Sequence, residues 1–153
     1  YQSDTSQCPA GYNFGCAGNT GRALLQGLTM QGVQQWGHFQ FTLALDWLNA
    51  KDIDTDQRLP RRASNQQTLA VDWNDGPWQA GGALLNVGSR PDAGVLLPAY
   101  QLLNLNARWR FERVWQVELR LQNALGKDYE PVHDYQGAGR QVWVGLRYDG
   151  RGF

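Results

Sequence analysis

The sequence predicts an all-β fold in which antiparallel strands cross a membrane side by side as part of a transmembrane β-barrel. From residue 37 on, apolar or aromatic residues occupy alternate positions in runs of about ten, and successive side chains of a strand point to opposite faces of a sheet. A tilted strand of that length rises roughly 23 Å, close to the height of the apolar band of an outer-membrane barrel. Short connections also alternate with long ones, which is typical of outer-membrane hairpins.

The first strand is predicted at residues 22–35, where Leu25 and Leu28 differ in phase, so Gly27 between them predicts a β-bulge. The clearest strand covers residues 38–49. Its odd-numbered positions are apolar and are predicted to face lipid: Phe39, Phe41, Leu43, Leu45 and Trp47. Its even-numbered positions form a wet face: His38, Gln40, Thr42, Ala44 and Asp46.

Five further strands complete a predicted wall of seven: residues 62–74, 78–88, 102–111, 115–125 and 140–148. Alternation again separates two faces. In the strand at 102–111 the outward positions are Leu103, Leu105, Ala107, Trp109 and Phe111, and the inward ones are Asn104, Asn106, Arg108 and Arg110.

The connections predict which ends of the strands lie inside and outside the cell. Short ones at 36–37, 74–77 and 112–113 indicate the periplasmic rim. The long ones at 51–61, 89–99 and 126–139 are polar and rich in Gly, Pro and Asp, which indicates extracellular loops. Residues 1–21 are then expected outside as well.

Composition supports this interpretation. Hydrophobic residues make up 42% of the chain, yet no apolar run approaches the 18 or so residues of a transmembrane helix. Six of the seven tryptophans fall near predicted strand ends, where amphipathic rings favour the membrane interface. A soluble β-sandwich would not need ten-residue spans or this loop asymmetry. Equal numbers of basic and acidic residues, 14 each, give no basic face for nucleic acid.

Seven strands alone would leave two open edges in hydrocarbon, where unpaired backbone groups cost several kcal/mol each. An odd number also puts the two termini on opposite sides of the membrane. The sequence shows no signal peptide and no globular segment that could plug a lumen. We therefore expect the C-terminal piece of a larger barrel, with an outer loop at 1–21 and barrel strands at 22–153.

Residues 121–148 carry a recognisable motif. An Asn-x-hydrophobic-x-x-x-Tyr-Glu run precedes a Gly-Arg pair and a final alternating strand, on Asn123, Leu125, Lys127, Tyr129, Glu130, Gly139 and Arg140. This segment resembles the last extracellular loop and closing strand of TonB-dependent outer-membrane receptors. The resemblance implies a roughly 22-stranded barrel with an N-terminal plug, energised by TonB and inserted by the barrel assembly machinery, of which this chain would be the last seven strands.

Within that family the chain is most similar to the vitamin B12 (cobalamin) receptors. Three segments carry the similarity: Tyr135, Gln136 and Ala138 before Gly139-Arg140, Leu59 and Arg61 to Ala63, and Gly88 with Arg90. The resemblance implies cobalamin as the transported ligand and no cofactor, with calcium bound, if at all, upstream of this chain. One place departs from the pattern, because a ligand-contacting tyrosine of those receptors is replaced here by Val95.

Arg61 matches a family arginine at the barrel mouth, so the resemblance implies that its guanidinium binds ligand. The alternative is a lumen-facing arginine paired with a plug carboxylate. Asp52, Asp54 and Asp56 resemble the start of a calcium loop, but the glycine and distal glutamate are missing, so a solvated acidic loop is favoured and no metal site is predicted. His38 and His133 are single imidazoles and are interpreted as structural.

Cys8 and Cys16 enclose seven residues in the predicted outer loop, which favours a disulfide over a metal site in an oxidising compartment. Tyr148 ends the last strand and Phe153 ends the chain. Either aromatic could serve as the assembly signal, although Phe153 is out of phase with the strand unless its glycines form a bulge.

No His-Ser-Asp arrangement indicates catalysis, so we do not expect an enzyme. Three functions remain open: a cobalamin receptor, a TonB-dependent receptor for another ligand such as a ferric siderophore, and a passive barrel without energy coupling.

Overall fold

The structure is a computed structural model that describes residues 2–3, 17–18 and 21–151. Cys8, Cys16 and Phe153 lie outside the described residues, so their predicted roles stay predictions. The strands are β1 (Gln2–Ser3), β2 (Ala17–Gly18), β3 (Ala23–Trp36), β4 (Phe39–Asp52), β5 (Asn65–Asp75), β6 (Trp78–Val87), β7 (Arg90–Asp92), β8 (Val95–Leu97), β9 (Tyr100–Arg110), β10 (Trp115–Gln122) and β11 (Gln141–Tyr148).

Seven long strands form one antiparallel sheet in the order β11-β10-β9-β6-β5-β4-β3. Every strand pairs with its neighbour in sequence, except that the small hairpin β7–β8 interrupts the connection from β6 to β9. The outer strands β3 and β11 each have one partner in this sheet, which is therefore open. The predicted all-β, antiparallel wall of seven strands is confirmed.

Cross-strand register separates the two faces as predicted. Leu43 of β4 pairs with Leu69 of β5, which pairs with Leu84 of β6, whereas Gln40 on the other face pairs with Asp72. Paired residues of an antiparallel ladder share a face. We call the face that includes Leu43 the apolar face and the opposite one the polar face.

The apolar face is not covered by any other part of the described chain. Leu43 is 44% exposed and Leu69 is 48% exposed, which fits contact with lipid and not with a second layer of protein. The buried hydrophobic residues lie instead toward the long loops: Ala50, Leu59, Val87 and Leu97. No helix in the described residues is long and apolar enough to cross a membrane.

The predicted bulge at Gly27 is wrong. Strands β3 and β4 pair without interruption from Ala23 with Asp52 to Trp36 with Phe39. Leu25 and Leu28 therefore lie on opposite faces. A Cβ at residue 27 would stand 2.6 Å from the carbonyl oxygen of Trp47, so glycine serves here for close backbone approach.

Several strand ends differ from the prediction by one to three residues, and the strand expected at 38–49 runs instead from Phe39 to Asp52. The strand expected at 115–125 ends at Gln122, because Asn123 takes a left-handed conformation (φ 48°) and starts a turn. The strand expected from residue 62 begins at Asn65, after Arg61 with φ 60°. The strand expected at 102–111 runs instead from Tyr100 to Arg110.

The connections alternate as predicted, and the long ones form one end of the sheet. Two-residue turns at 37–38 and 76–77 place Gly37 and Gly76 at positive φ, which suits tight hairpins. We call the long connections at the opposite end the mouth loops. The first mouth loop (residues 53–64) joins β4 to β5. The second (88–99) joins β6 to β9 and contains β7 and β8, and the third (123–140) joins β10 to β11.

Aromatic rings gather on the apolar face at the short-turn end. Trp78 stacks on Trp109 with centroids 4.9 Å apart, and Tyr148, the predicted assembly signal, lies 4.9 Å from Trp115, its register partner. Rings in this position match the aromatic girdle of transmembrane barrels.

The assignment of faces predicts opposite responses to charge at adjacent residues. Leu43→Arg should lower the free energy of unfolding by about 2–4 kcal/mol, because it places a guanidinium in hydrocarbon. Ala44→Arg, one residue on and on the polar face, should change it little. Denaturant titration of the protein refolded into lipid vesicles measures both. Equal destabilisation by the two variants would contradict the assignment.

Candidate functional site

A charged cluster occupies the polar face where β9 and β10 pair. Glu118 lies within 3.2 Å of Arg108 Nε and 3.1 Å of Arg120 Nη2, and it accepts a hydrogen bond from Gln116 Nε2 at 2.8 Å. A second Arg108 nitrogen donates to Gln79 at 2.9 Å. Two guanidinium groups share one carboxylate, so the cluster carries a net positive charge.

Charge is distributed unevenly across the polar face. The strands β4 and β5 contribute Asp46 and Asp72, and Thr29 donates to Asp46 at 2.7 Å. The strands β9 to β11 contribute the arginines Arg108, Arg110, Arg120 and Arg147. One side of the wall is therefore acidic and the other basic, a surface suited to a polar partner or to water.

The mouth loops meet at a buried carboxylate that the sequence did not single out. Asp92, at the end of β7, is 2% exposed. Its Oδ1 accepts from Arg61 Nε of the first mouth loop at 2.9 Å. Its Oδ2 accepts from the backbone N–H of His133 in the third mouth loop, also at 2.9 Å.

Burial by itself would raise the pKa of Asp92. The hydrogen bond from the His133 N–H and the guanidinium of Arg61 outweigh it, so the pKa lies below its ordinary value of 3.8. Stability from such a group is present above the ordinary pKa and is lost as pH falls through the lowered one. The carboxylate is therefore charged, and these contacts are intact, at neutral pH.

Arg90 ties the second and third mouth loops at a neighbouring point. It is 5% exposed. Its Nε donates to the carbonyl oxygen of Pro131 at 3.0 Å and its Nη2 donates to the carbonyl oxygen of Glu130. The guanidinium lies 5.2 Å from the ring centre of Tyr100, which in turn lies 4.5 Å from the ring of Tyr129.

Asn123 organises the start of the third mouth loop. It is 4% exposed. Its side-chain nitrogen donates to the carbonyl oxygens of Lys127 (2.8 Å) and Ala138 (3.1 Å), and its Oδ1 accepts from the Lys127 N–H at 2.9 Å. One amide thus joins the two ends of a loop that has few other regular backbone bonds.

The three aspartates that resemble the start of a calcium loop have separate partners. Asp52 accepts from the N–H groups of Asp54 and Thr55. Asp54 pairs with Arg22 at 2.5 Å and Asp56 pairs with Lys51 at 2.9 Å. Among the residues that the structure describes, no group of three or more His, Cys, Asp or Glu side chains could hold a metal ion.

The structure places Arg61 at the mouth, as expected from the resemblance, and shows what it contacts. Its Nε is held by Asp92, while the side chain stays 65% exposed. Sequence reasoning missed Asp92 and gave Arg90 and Asn123 only as matches to a motif. Each is a polar residue beside a turn, and no periodic pattern distinguishes such a residue from one in a solvated loop.

Asn123 supplies a test of how the third mouth loop is held. Asn123→Ala should speed trypsin cleavage after Lys127 in the folded protein about tenfold, because three hydrogen bonds of a buried amide are lost. Asn123→Gly should do the same without the strain of a left-handed alanine, and Gln122→Ala, at an exposed neighbour, should not. Unchanged cleavage in both Asn123 variants would contradict this role.

Comparison with known proteins identifies the family of the fold. Residues 1–124 match the family model described as TonB dependent receptor-like, beta-barrel. Among solved structures, the copper transporter OprC is 16% identical with a TM-score of 0.72, over 82% of this chain and 24% of that one. FpvA of P. aeruginosa, bound to heterologous pyoverdines, is 14% identical with a TM-score of 0.73, over 82% and 19%.

The ferric enterobactin receptor PfeA of Pseudomonas aeruginosa is 13% identical with a TM-score of 0.71, over 85% of this chain and 23% of that one. The chain thus spans about a fifth to a quarter of the length of these solved receptors. At such identities the likeness shows the fold alone. Since the family model covers most of the sequence, the chain belongs to the TonB-dependent receptors, a family of transport proteins and not of enzymes, and forms part of their β-barrel.

Proposed function

We propose that this chain forms wall and mouth of a TonB-dependent outer-membrane receptor that imports a small ligand. The observation that carries the proposal is the seven-stranded sheet with one exposed apolar face and one charged face. Two such faces suit a wall between lipid and a polar lumen. The long loops gathered at one end suit a ligand entrance. Membership of the family supports the proposal that transport is energised through TonB.

The open edges support a larger assembly. The outer edges of β3 and β11 would expose unpaired N–H and C=O groups to hydrocarbon, where each costs several kcal/mol. Further strands would pair with both edges. A plug domain and the barrel assembly machinery are the expected protein partners, and the acidic and basic halves of the polar face would both contact the plug.

The proposed ligand is cobalamin, on the strength of the sequence resemblance in the mouth loops. A metal chelate such as a ferric siderophore is the second candidate, because FpvA and PfeA are described with ferric pyoverdine and ferric enterobactin. Both ligand classes present oxygen acceptors. The exposed guanidinium of Arg61 could donate to either.

A transport assay separates the candidates. The full-length receptor that contains this chain is expressed in bacteria that lack their own cobalamin and siderophore receptors. We expect uptake of labelled cyanocobalamin, and we expect it to vanish when TonB is absent. Uptake of ferric enterobactin or ferric pyoverdine in its place would overturn the proposal that cobalamin is the ligand. The proposal that the protein is a TonB-dependent receptor would still stand. Uptake that does not depend on TonB would indicate a passive barrel.

The role of Arg61 in ligand binding has its own test. Arg61→Ala should weaken binding of the transported ligand about tenfold, since a charge-assisted hydrogen bond of roughly 1.4 kcal/mol is lost. Equilibrium binding to the receptor in outer-membrane vesicles measures it. Arg58→Ala is the matched control, because Arg58 lies in the same loop and its side chain donates to the Ser89 carbonyl and not to Asp92. Unchanged binding to Arg61→Ala would make Arg61 a loop contact alone.

A further inference from the structure

We propose that Asp92 is the centre of a clamp that makes the three mouth loops open and close as one unit. The clamp consists of Asp92, Arg61, Arg90 and the backbone of residues 130–133. The clamp proposal rests on the proposed function, since the coupled loops would form the ligand entrance. The coupling itself can be measured without any ligand.

The geometry sends each oxygen of one carboxylate to a different loop. Oδ1 binds Arg61, 31 residues earlier, and Oδ2 binds the N–H of His133, 41 residues later. The first and third mouth loops are thus each tied to the second mouth loop by Asp92. Within the described residues, Asp92 is the one side chain that bonds to both other mouth loops.

Burial turns these two contacts into a coupled pair. A carboxylate at 2% exposure depends on its partners, because a buried charge that loses one of them keeps its desolvation cost. If the first loop withdraws Arg61, the remaining bond to His133 must stabilise the charge alone. The opening of one loop therefore favours the opening of the other, as expected for residues that share one hydrogen-bond network.

Two neighbouring features strengthen the clamp. On one side, the Arg61 N–H donates to the carbonyl oxygen of Pro91 at 2.7 Å, which ties the first mouth loop to the second a second time. On the other side, Arg90 donates to the carbonyl groups of Pro131 and Glu130. Residues 90–92 thus contact the first mouth loop through a side chain and the backbone, and the third through side chains.

Another aspartate at the mouth supplies a matched control. Asp56 also pairs with a cation at 2.9 Å, but its partner Lys51 is five residues away and the Asp56 side chain is 85% exposed. Exposed pairs of this kind contribute little. Loss of the Asp56 pair should therefore affect its own loop and no other.

The experiment is hydrogen exchange of the full-length receptor in lipid vesicles, without ligand. Arg61→Met removes one arm of the clamp at an exposed side chain, because methionine has about the same length as arginine up to Nε but carries no N–H donor. We expect peptides that include His133, in the third mouth loop, to exchange about tenfold faster, although the substitution lies in the first. Asp92→Asn should speed exchange in both loops, whereas Asp56→Asn should leave the third loop unchanged.

Unchanged exchange at His133 in Arg61→Met would overturn the clamp, because the loops would then open independently. If Asp92→Asn prevents assembly of the barrel, Arg61→Met still decides the question. The result is also distinct from the transport assay. Coupled loops in a receptor that imports neither cobalamin nor a siderophore would leave the clamp standing and refute the proposed ligands.

Discussion

The fold depends on the need of every backbone N–H and C=O group to be paired where no water can reach it. Uninterrupted ladders meet this need, and the pairing of β3 with β4 runs through fourteen residues of each strand. Once backbone pairing is fixed, side chains have only two directions to take. The same ladder therefore sets both the apolar face and the polar face, and a shift of one residue would exchange them.

Stability is arranged differently at the two ends of the sheet. At the short turns, exposed aromatic rings stack on the apolar face, as Trp78 and Trp109 do. Toward the mouth, the protein has to make an interior of its own, and the buried hydrophobic residues of the described chain are found there. Asp92 and Asn123, two polar residues of that interior, are each satisfied by several partners, since an unpaired buried group would cost more than the contact contributes.

The polar face and the mouth use charge in two ways. On the wall, Glu118 is shared between two arginines of a partly exposed cluster, which leaves the cluster with a net positive charge. At the mouth, the carboxylate of Asp92 is almost entirely buried and bonds to two other loops. Arg61, also at the mouth, combines a buried contact with an exposed group. One of its nitrogens is held by Asp92, while most of its side chain remains exposed.

The sequence by itself determined the fold class, the seven strands, the two faces and the alternation of turns and loops, because period-two patterning is local and each strand carries it independently. It could not determine that Gly27 accommodates the backbone of Trp47, since a glycine in a strand can equally mark a bulge. Only the tertiary structure joined Asp92 to Arg61 and His133, which lie 31 and 41 residues away. Contacts between loops depend on where the paired strands place the strand ends in space, and no local sequence pattern contains that information.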